Sequence, residues 1–305
     1  MTSEIQPTVA VIGGGSFGTA LTKIFSDNSG HCHLWMHNPE HAEHLERFGH
    51  NPRYLSSVGF AKGSVIVHTD INAAVEQADI IVLAVPSAFV KSVLLQLQPG
   101  AFQGKLVCSA IKGIIPEENM IVGEYLREVM GVEESQIAVI TGPCHAEEIA
   151  LERLSFLTVA ALEKSVAARV AQQLNTHYVR TTLSKDLYGT EYAAVLKNVY
   201  AIAAGMYHSL GYGDNFQAVL MSNAAREMKR FLGAVSDRKV SINKSAYLGD
   251  LLVTGYSQFS RNRMLGNMMG KGYTIKSARA EMTMVAEGYY AVPLVNKLKK
   301  KRDVR

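Results

Sequence analysis

Two rhythms of apolar and polar positions divide this chain. In the first half, short apolar runs recur between mixed stretches. Thr8–Gly13 (TVAVIG) is rich in β-formers and ends in glycines, and Thr19–Ser26 predicts a helix after it. His31–Met36 alternates and predicts a strand; Val65–His68 is a shorter one, followed by a polar helix around Ile71–Gln77. Ile80–Val85 is continuously apolar, as in a strand covered on both faces of a parallel sheet. Lys105–Ala110 and Ile137–Thr141 repeat that pattern, and Phe156–Ala161 and Tyr178–Thr182 predict further strands. Strands separated by helical stretches give βαβ units, hence an α/β, doubly wound sheet.

From about Gly189 the texture changes. Glu191–Leu210 is a long Ala-rich helical run, and Asn215–Leu232 is a second. Few strand signals follow, so the second half predicts a mostly α-helical domain. The expected division is residues 1–187 and residues 188–305, with no low-complexity linker between them. The Ala- and Met-rich helices suit a homodimer and a monomer core equally.

Composition narrows the class. Hydrophobic residues make up 48% and charged residues 19%, which is a globular balance. No apolar run reaches the roughly 18 residues of a membrane span, so no stable membrane insertion is expected. The first residues carry no basic cluster followed by an apolar stretch, so no secretion signal is expected either. Three widely spaced cysteines, Cys32, Cys108 and Cys144, make no disulfide framework, and a cytoplasmic location fits.

The net charge of +4 could point to nucleic acid, but its position removes that reading. Residues 297–305 hold six basic residues and one acid, +5, which leaves −1 for residues 1–296. A charge run of this kind reads as a solvated tail, and no nucleic-acid partner is expected. His37, His41 and His44 lie close together with Glu40, and His41 and His44 would share a helix face. Without a Cys partner this polar segment reads as a surface helix rather than a metal site.

The candidate chemistry starts at Gly13-Gly14-Gly15-Ser16-Phe17-Gly18, which matches G-x-G-x-x-G between a predicted strand and a predicted helix. Gly13 permits the tight turn, Gly15 lets the backbone approach a pyrophosphate, and Gly18 allows close helix–strand packing. Free N–H groups and the helix dipole then face the anion, with Ser16 and Phe17 in the first turn. The first half is therefore Rossmann-like. The second strand should end in an acid if NAD is preferred. His37 stands there, neither acid nor arginine, so NADP and NAD both stay open.

Further motifs follow in order: Asn51-Pro52-Arg53-Tyr54-Leu55, Ala84-Val85-Pro86-Ser87, Ile111-Lys112-Gly113, Thr141-Gly142-Pro143, Leu196-Lys197-Asn198, Gly211-Tyr212-Gly213-Asp214-Asn215, Leu248-Gly249-Asp250-Leu251 and Ser260-Arg261-Asn262-Arg263. Together with the glycine loop they closely resemble bacterial NAD(P)-dependent glycerol-3-phosphate dehydrogenase over about residues 8–290. That resemblance implies interconversion of dihydroxyacetone phosphate and sn-glycerol 3-phosphate, with NADP or NAD as cofactor, for phospholipid synthesis. It also implies cofactor contacts at Gly13, Gly15, Ser16, Phe17, Gly18, His37, Tyr54, Lys112, Ala146, Arg261 and Glu287. Substrate contacts are implied at Lys112, Gly142, Cys144, Lys197, Asp250, Ser260, Arg261 and Asn262, with Lys197 and Lys112 catalytic.

Physical chemistry supports several of these roles independently. Lys197 sits in an apolar helix, where lost solvation lowers its pKa toward the working range of a proton donor or acceptor. Lys112 follows a strand and would face the ligand crevice, polarising a carbonyl and depressing Lys197 further. Arg261 and Asn262 suit a phosphate clamp, and Ser260 suits a helix cap beside it. Asp250 lies among apolar residues, so it should pair with a lysine or a substrate hydroxyl.

The sequence also departs from the family it resembles. Members commonly have Ser then Phe after Gly142-Pro143, where this chain has Cys144 and His145. They often have arginine at the position of His37, and they continue further beyond Glu287. Two other readings stand beside the leading one: a β-hydroxyacid or 6-phosphogluconate dehydrogenase relative, and a dinucleotide-binding redox sensor without turnover. The Ser260-Arg261-Asn262 and Gly213-Asp214-Asn215 motifs weigh against the first. Retention of Lys112, Lys197 and Asp250 together weighs against the second.

Overall fold

The computed structural model describes residues 6–236, 240–282 and 284–301. Its first half alternates strands and helices: β1 (Val9–Ile12), α1 (Ser16–Ser29), β2 (Cys32–Trp35), α2 (Pro39–Phe48), β3 (Val65–His68), α3 (Ile71–Glu76), β4 (Ile80–Leu83), α4 (Val90–Leu94) and β5 (Leu106–Ser109). A short hairpin, β6 (Ile114–Ile115) and β7 (Met120–Ile121), leads to α5 (Val122–Glu128), β8 (Ile137–Thr141), α6 (Ala146–Ala150), β9 (Ser155–Ala161), α7 (Lys164–Leu174) and β10 (Val179–Ser184). The eight-stranded sheet has the order β10-β9-β8-β5-β4-β1-β2-β3. Every strand predicted from the sequence is present.

Residue alternation explains why the sheet is covered on both sides. Val9 and Val11 pack with Ile24 and Phe25 of α1 on one face, whereas Ala10 and Ile12 pack with Ile71 and Val75 of α3 on the other. The order reverses beside β1: the chain runs outward through β2 and β3, then returns to β4 on the other side. Such a reversal opens a crevice at the carboxyl ends of the strands. One departure from a purely parallel sheet is β9, which runs antiparallel to β8, with β10 parallel to β9.

The second half comprises α8 (Leu187–Ser209), α9 (Asp214–Val235), a π-helical turn at Ser245–Gly249, then α10 (Asp250–Tyr256), α11 (Arg261–Gly270), α12 (Ile275–Glu281) and α13 (Glu287–Lys301). Helix α8 is the hub, with Leu187, Tyr192, Val195, Leu196 and Ala204 all buried. Asp186 caps it, accepting from Gly189 N at 3.1 Å, and also accepts from Tyr247 Oη at 2.6 Å. Helices α8 and α11 cross in near backbone contact. A side chain on Gly205 would overlap the Arg263 carbonyl, and one on Gly266 would overlap that of Ile202. This crossing sets the start of α11 against the middle of α8.

The basic end is solvated as expected, with Lys297 and Lys300 exposed, but it is helical. Residues Lys297, Lys299, Lys300 and Lys301 continue helix α13, which is held by buried Ala291 and Leu294. Lys299 Nζ lies 3.3 Å from Glu227 Oε1 on α9. Arg302, Asp303 and Arg305 fall outside the described residues.

A buried carboxyl joins the halves. Glu191 of α8 is fully buried and accepts from Ser109 Oγ at 3.1 Å and from Gly123 N at 3.0 Å. Burial pushes its pKa up to about 8, despite those donors. A carboxyl raised in the folded state stabilises fully below its unfolded pKa and loses that contribution as pH rises to about 8. Glu191→Gln keeps the shape and an acceptor for Gly123 N, and its amide can donate to Ser109 Oγ, reversing that bond. Its stability relative to wild type should therefore increase from pH 5 to pH 8.5, by about 2 kcal/mol or more. Paired thermal melts at the two pH values test this. A pH-independent difference would overturn the reading of a neutral carboxyl.

Candidate active site

The nucleotide loop is built by sterics. Gly13 has φ +122°, and a side chain there would meet Val85 Cγ1 at 2.8 Å. The carbonyl of Gly13 fills the space where Gly18 lacks a side chain. Gly15 is the N-cap of α1, with no side-chain cap and no acid in the first turn. The first N–H groups of α1 therefore stand at the cavity without a competing carboxylate, as an anion site requires. A Cβ on Gly15 would meet nothing within 4 Å, so the approach to the loop is open. These features fit the pyrophosphate of a dinucleotide.

Asn51 braces the loop. It is fully buried, and its Nδ2 donates to Gly14 O and to Thr19 Oγ1, both at 2.9 Å. Its Oδ1 accepts from the backbone N of Arg53 at 3.0 Å and of Tyr54 at 3.1 Å. Arg53 and Tyr54 then line the cavity, with the guanidinium stacked 5.5 Å from the Tyr54 ring centroid.

Opposite the loop lies a buried charge cluster. Lys197 projects from the middle of α8 and donates from Nζ to Asp250 Oδ1 at the start of α10. Asp250 is only 1% exposed, and its Oδ2 lies 3.9 Å from Lys112 Nζ. Lys112 follows β5. Its Nζ donates to Gly142 O at 3.2 Å and to Cys144 Sγ at 3.4 Å, and lies 5.0 Å from the Phe17 ring centroid. Its carbonyl accepts from Asn198 Nδ2 at 2.6 Å, so the neighbour of Lys197 fixes the backbone of Lys112.

Burial is the largest influence on Lys197 and brings its pKa down to about 8; Asp250 opposes this and Lys112 adds to it. For Lys112 burial also pulls downward, but Asp250 and Cys144 outweigh it and hold the ammonium above its ordinary value. Cys144 is raised by burial, which Lys112 only partly offsets, so it remains a thiol. Its Sγ donates to Gly142 O at 3.2 Å.

The third part is the start of α11. Ser260 caps it, accepting from Arg263 N at 3.3 Å. Asn262 Oδ1 accepts from Gly288 N at 2.8 Å, which pins α13 to this corner. Arg261 lines the cavity with its Nη2 3.7 Å from Glu147 Oε1, and its buried Nε has no hydrogen-bond partner. Glu287 lines the cavity too. It accepts from Ser87 N at 2.9 Å and from the Ser87 hydroxyl, and burial raises its pKa.

These three parts share one cavity of about 590 Å³. Gly15, Ser16, Phe17, Tyr54, Lys112, Cys144, Ala146, Lys197, Asp250, Ser260, Arg261, Asn262 and Glu287 all line it, as the sequence reading grouped them. Gly13, Gly18 and Gly142 stand behind that lining as backbone support. His37 is exposed at the end of β2, its ring 6.1 Å from that of Trp35, and does not line the cavity. His41 and His44 fall on α2; His44 stacks on His50 at 4.8 Å, and no metal-holding group of three His, Cys, Asp or Glu occurs among the described residues.

Several lining residues received no role from the sequence. Arg53 and Asn198 sit inside recognised motifs, so adjacency was their signal. Arg279, Tyr289 and Tyr290 lie near the C-terminal helix and carry no motif; the Arg279 guanidinium lies 5.0 Å and 5.3 Å from the two ring centroids.

Known proteins agree with this layout. The family model described as NAD-dependent glycerol-3-phosphate dehydrogenase N-terminus matches residues 8–167, and the corresponding C-terminus model matches residues 186–305. A glycerol-3-phosphate dehydrogenase [NAD(P)+] of Ectopseudomonas mendocina is 37% identical over 288 residues, 94% of this chain and 83% of that protein. One from Chlorobium limicola is 34% identical over 297 residues, 97% of this chain and 89% of that protein. The crystal structure of glycerol-3-phosphate dehydrogenase from Coxiella burnetii superposes with a TM-score of 0.88 at 26% identity, covering 98% of this chain and 91% of that one. With both halves matched and the site assembled between them, the chain belongs to the NAD-dependent glycerol-3-phosphate dehydrogenase family.

Proposed function

We propose that this protein is an NAD(P)-dependent sn-glycerol-3-phosphate dehydrogenase that reduces dihydroxyacetone phosphate to sn-glycerol 3-phosphate. The observation that carries the reading is the buried Lys197–Asp250–Lys112 cluster, set in one cavity between an anion-binding glycine loop and Arg261. Bound NADH or NADPH supplies the hydride. The loop of Gly13, Gly15, Ser16, Phe17 and Gly18 would hold its pyrophosphate. Tyr54, Ala146, Arg261 and Glu287 line the same cavity and serve the cofactor side.

Lys197 Nζ holds the proton that the product hydroxyl receives. Asp250 keeps that ammonium charged in a buried setting and aims it. Lys112 adds a second ammonium, so the charged cluster is net positive by one and favours a developing alkoxide. Gly142 and Cys144 position Lys112 through its Nζ. Arg261, with Ser260 and Asn262, holds the substrate phosphate, whose charge competes with Glu147 for the guanidinium. The exposed position of His37 supports a minor part for it in choosing between the cofactors.

No helix among the described residues is long and apolar enough to cross a membrane. We place the reaction in the cytoplasm, where its product would supply phospholipid synthesis. The test is direct: purified protein with dihydroxyacetone phosphate should consume NADH or NADPH, seen as loss of reduced-cofactor absorbance. Cofactor binding with no turnover of either would favour the redox sensor and overturn this reading. The ratio of kcat/KM for the two cofactors fixes the preference.

A further inference from the structure

His145 is a site residue whose chemistry the roles above leave unused. It follows Cys144 directly, lines the same cavity as Lys197 and Asp250, and packs against Phe259 with ring centroids 6.0 Å apart. Its Nε2 is buried and has no hydrogen-bond partner. Burial, followed by the ammonium groups of Lys197 and Lys112, lowers its pKa to about 4, so the ring is neutral at ordinary pH. A neutral imidazole has one N–H. When that N–H is on Nδ1, Nε2 carries a free lone pair.

A buried bare acceptor asks for a donor. A phosphate dianion has none and would be repelled, and a ketone oxygen has none either. Dihydroxyacetone phosphate has a single hydroxyl, on the carbon at the far end from its phosphate. We infer that His145 is a specificity-determining residue whose Nε2 accepts a hydrogen bond from the terminal hydroxymethyl group of the substrate. The inference rests on the function proposed above. It divides the substrate into three recognised ends: phosphate at Arg261, carbonyl at Lys197 and hydroxyl at His145.

The test uses hydroxyacetone phosphate, which carries a methyl group in place of the hydroxymethyl. The wild-type protein should favour dihydroxyacetone phosphate over this analogue by about tenfold or more in kcat/KM, since a site built for a hydroxyl is left unpaired by a methyl. His145→Phe should bring that preference close to unity, chiefly by lowering kcat/KM for dihydroxyacetone phosphate. His145→Gln, which keeps an acceptor, should retain part of it. Equal loss on both substrates in His145→Phe would mark a packing role, and an unchanged preference would exclude the contact; either overturns the inference while leaving the function standing. A wild-type protein that turns over neither substrate would overturn both.

Discussion

Lys197→Ala should lower kcat for dihydroxyacetone phosphate reduction by about 10³-fold, while the KM for the reduced cofactor changes little. A positioned general acid contributes roughly 10²–10⁴-fold. The structure gives reason to expect more than the lower end, because Asp250 would keep only the Lys112 ammonium, 3.9 Å away, as a charged partner. Removing one partner of a buried ion pair is also strongly destabilising, so the variant should melt below the wild type. The cofactor loop contacts none of these groups except through Phe17 under Lys112, so cofactor affinity should survive. In the wild type, reduction needs Lys197 protonated. Its pKa of about 8 means that the reductive rate falls as pH rises through that value, and the reverse oxidation gains over the same range. The variant should lose this limb of the profile, and a small primary amine added to the assay should restore part of the rate. Near-normal kcat in Lys197→Ala, or a retained limb near pH 8, would remove the proton from Lys197.

Much of this site is legible in the sequence because burial constrains charge so tightly. Lys197 lies in Ala193-Ala194-Val195-Leu196, and Asp250 lies between Leu248-Gly249 and Leu251-Leu252. Each would be costly alone, so a pairing between them is the economical solution, and the structure has it. The sheet is legible for a similar reason: a continuous run such as Ile80–Val85 suits few places other than a strand covered on both faces. Strand direction is another matter. Nothing in Phe156–Ala161 distinguishes a parallel from an antiparallel neighbour, and β9 reverses against β8. Glu287 and Ser87 are 200 residues apart, and their pairing follows from how the helical half packs, which no local pattern encodes. A run of lysines does not reveal on its own that the basic end is helical. Ala291 and Leu294, one turn earlier, anchor it as a helix.

Gly15 and Gly18 separate the two jobs of the nucleotide loop, and their alanine variants should fail differently. A methyl group at Gly18 would fall inside van der Waals contact of the Gly13 carbonyl oxygen and 2.9 Å from its carbonyl carbon. Both are backbone atoms, and Gly13 cannot yield easily, being held at φ +122° against Val85. Gly18→Ala should therefore displace the loop, with a loss of stability of about 2–3 kcal/mol or more and of most cofactor affinity. At Gly15 the added methyl meets nothing within 4 Å, so the free protein should melt as the wild type does. The space it fills is the open approach to the N–H groups at the start of α1, where a pyrophosphate must come close. Gly15→Ala should weaken NADH or NADPH binding about 100-fold, equivalent to about 2.7 kcal/mol, with Tm unchanged. Titration by nicotinamide fluorescence, beside thermal melts without cofactor, reads both quantities. Wild-type affinity in Gly15→Ala would show that the anion does not bind at this loop. Equal losses of stability in the two variants would show that the glycines serve folding alone. A loop that is braced from below by Gly18 and left open above at Gly15 predicts neither outcome.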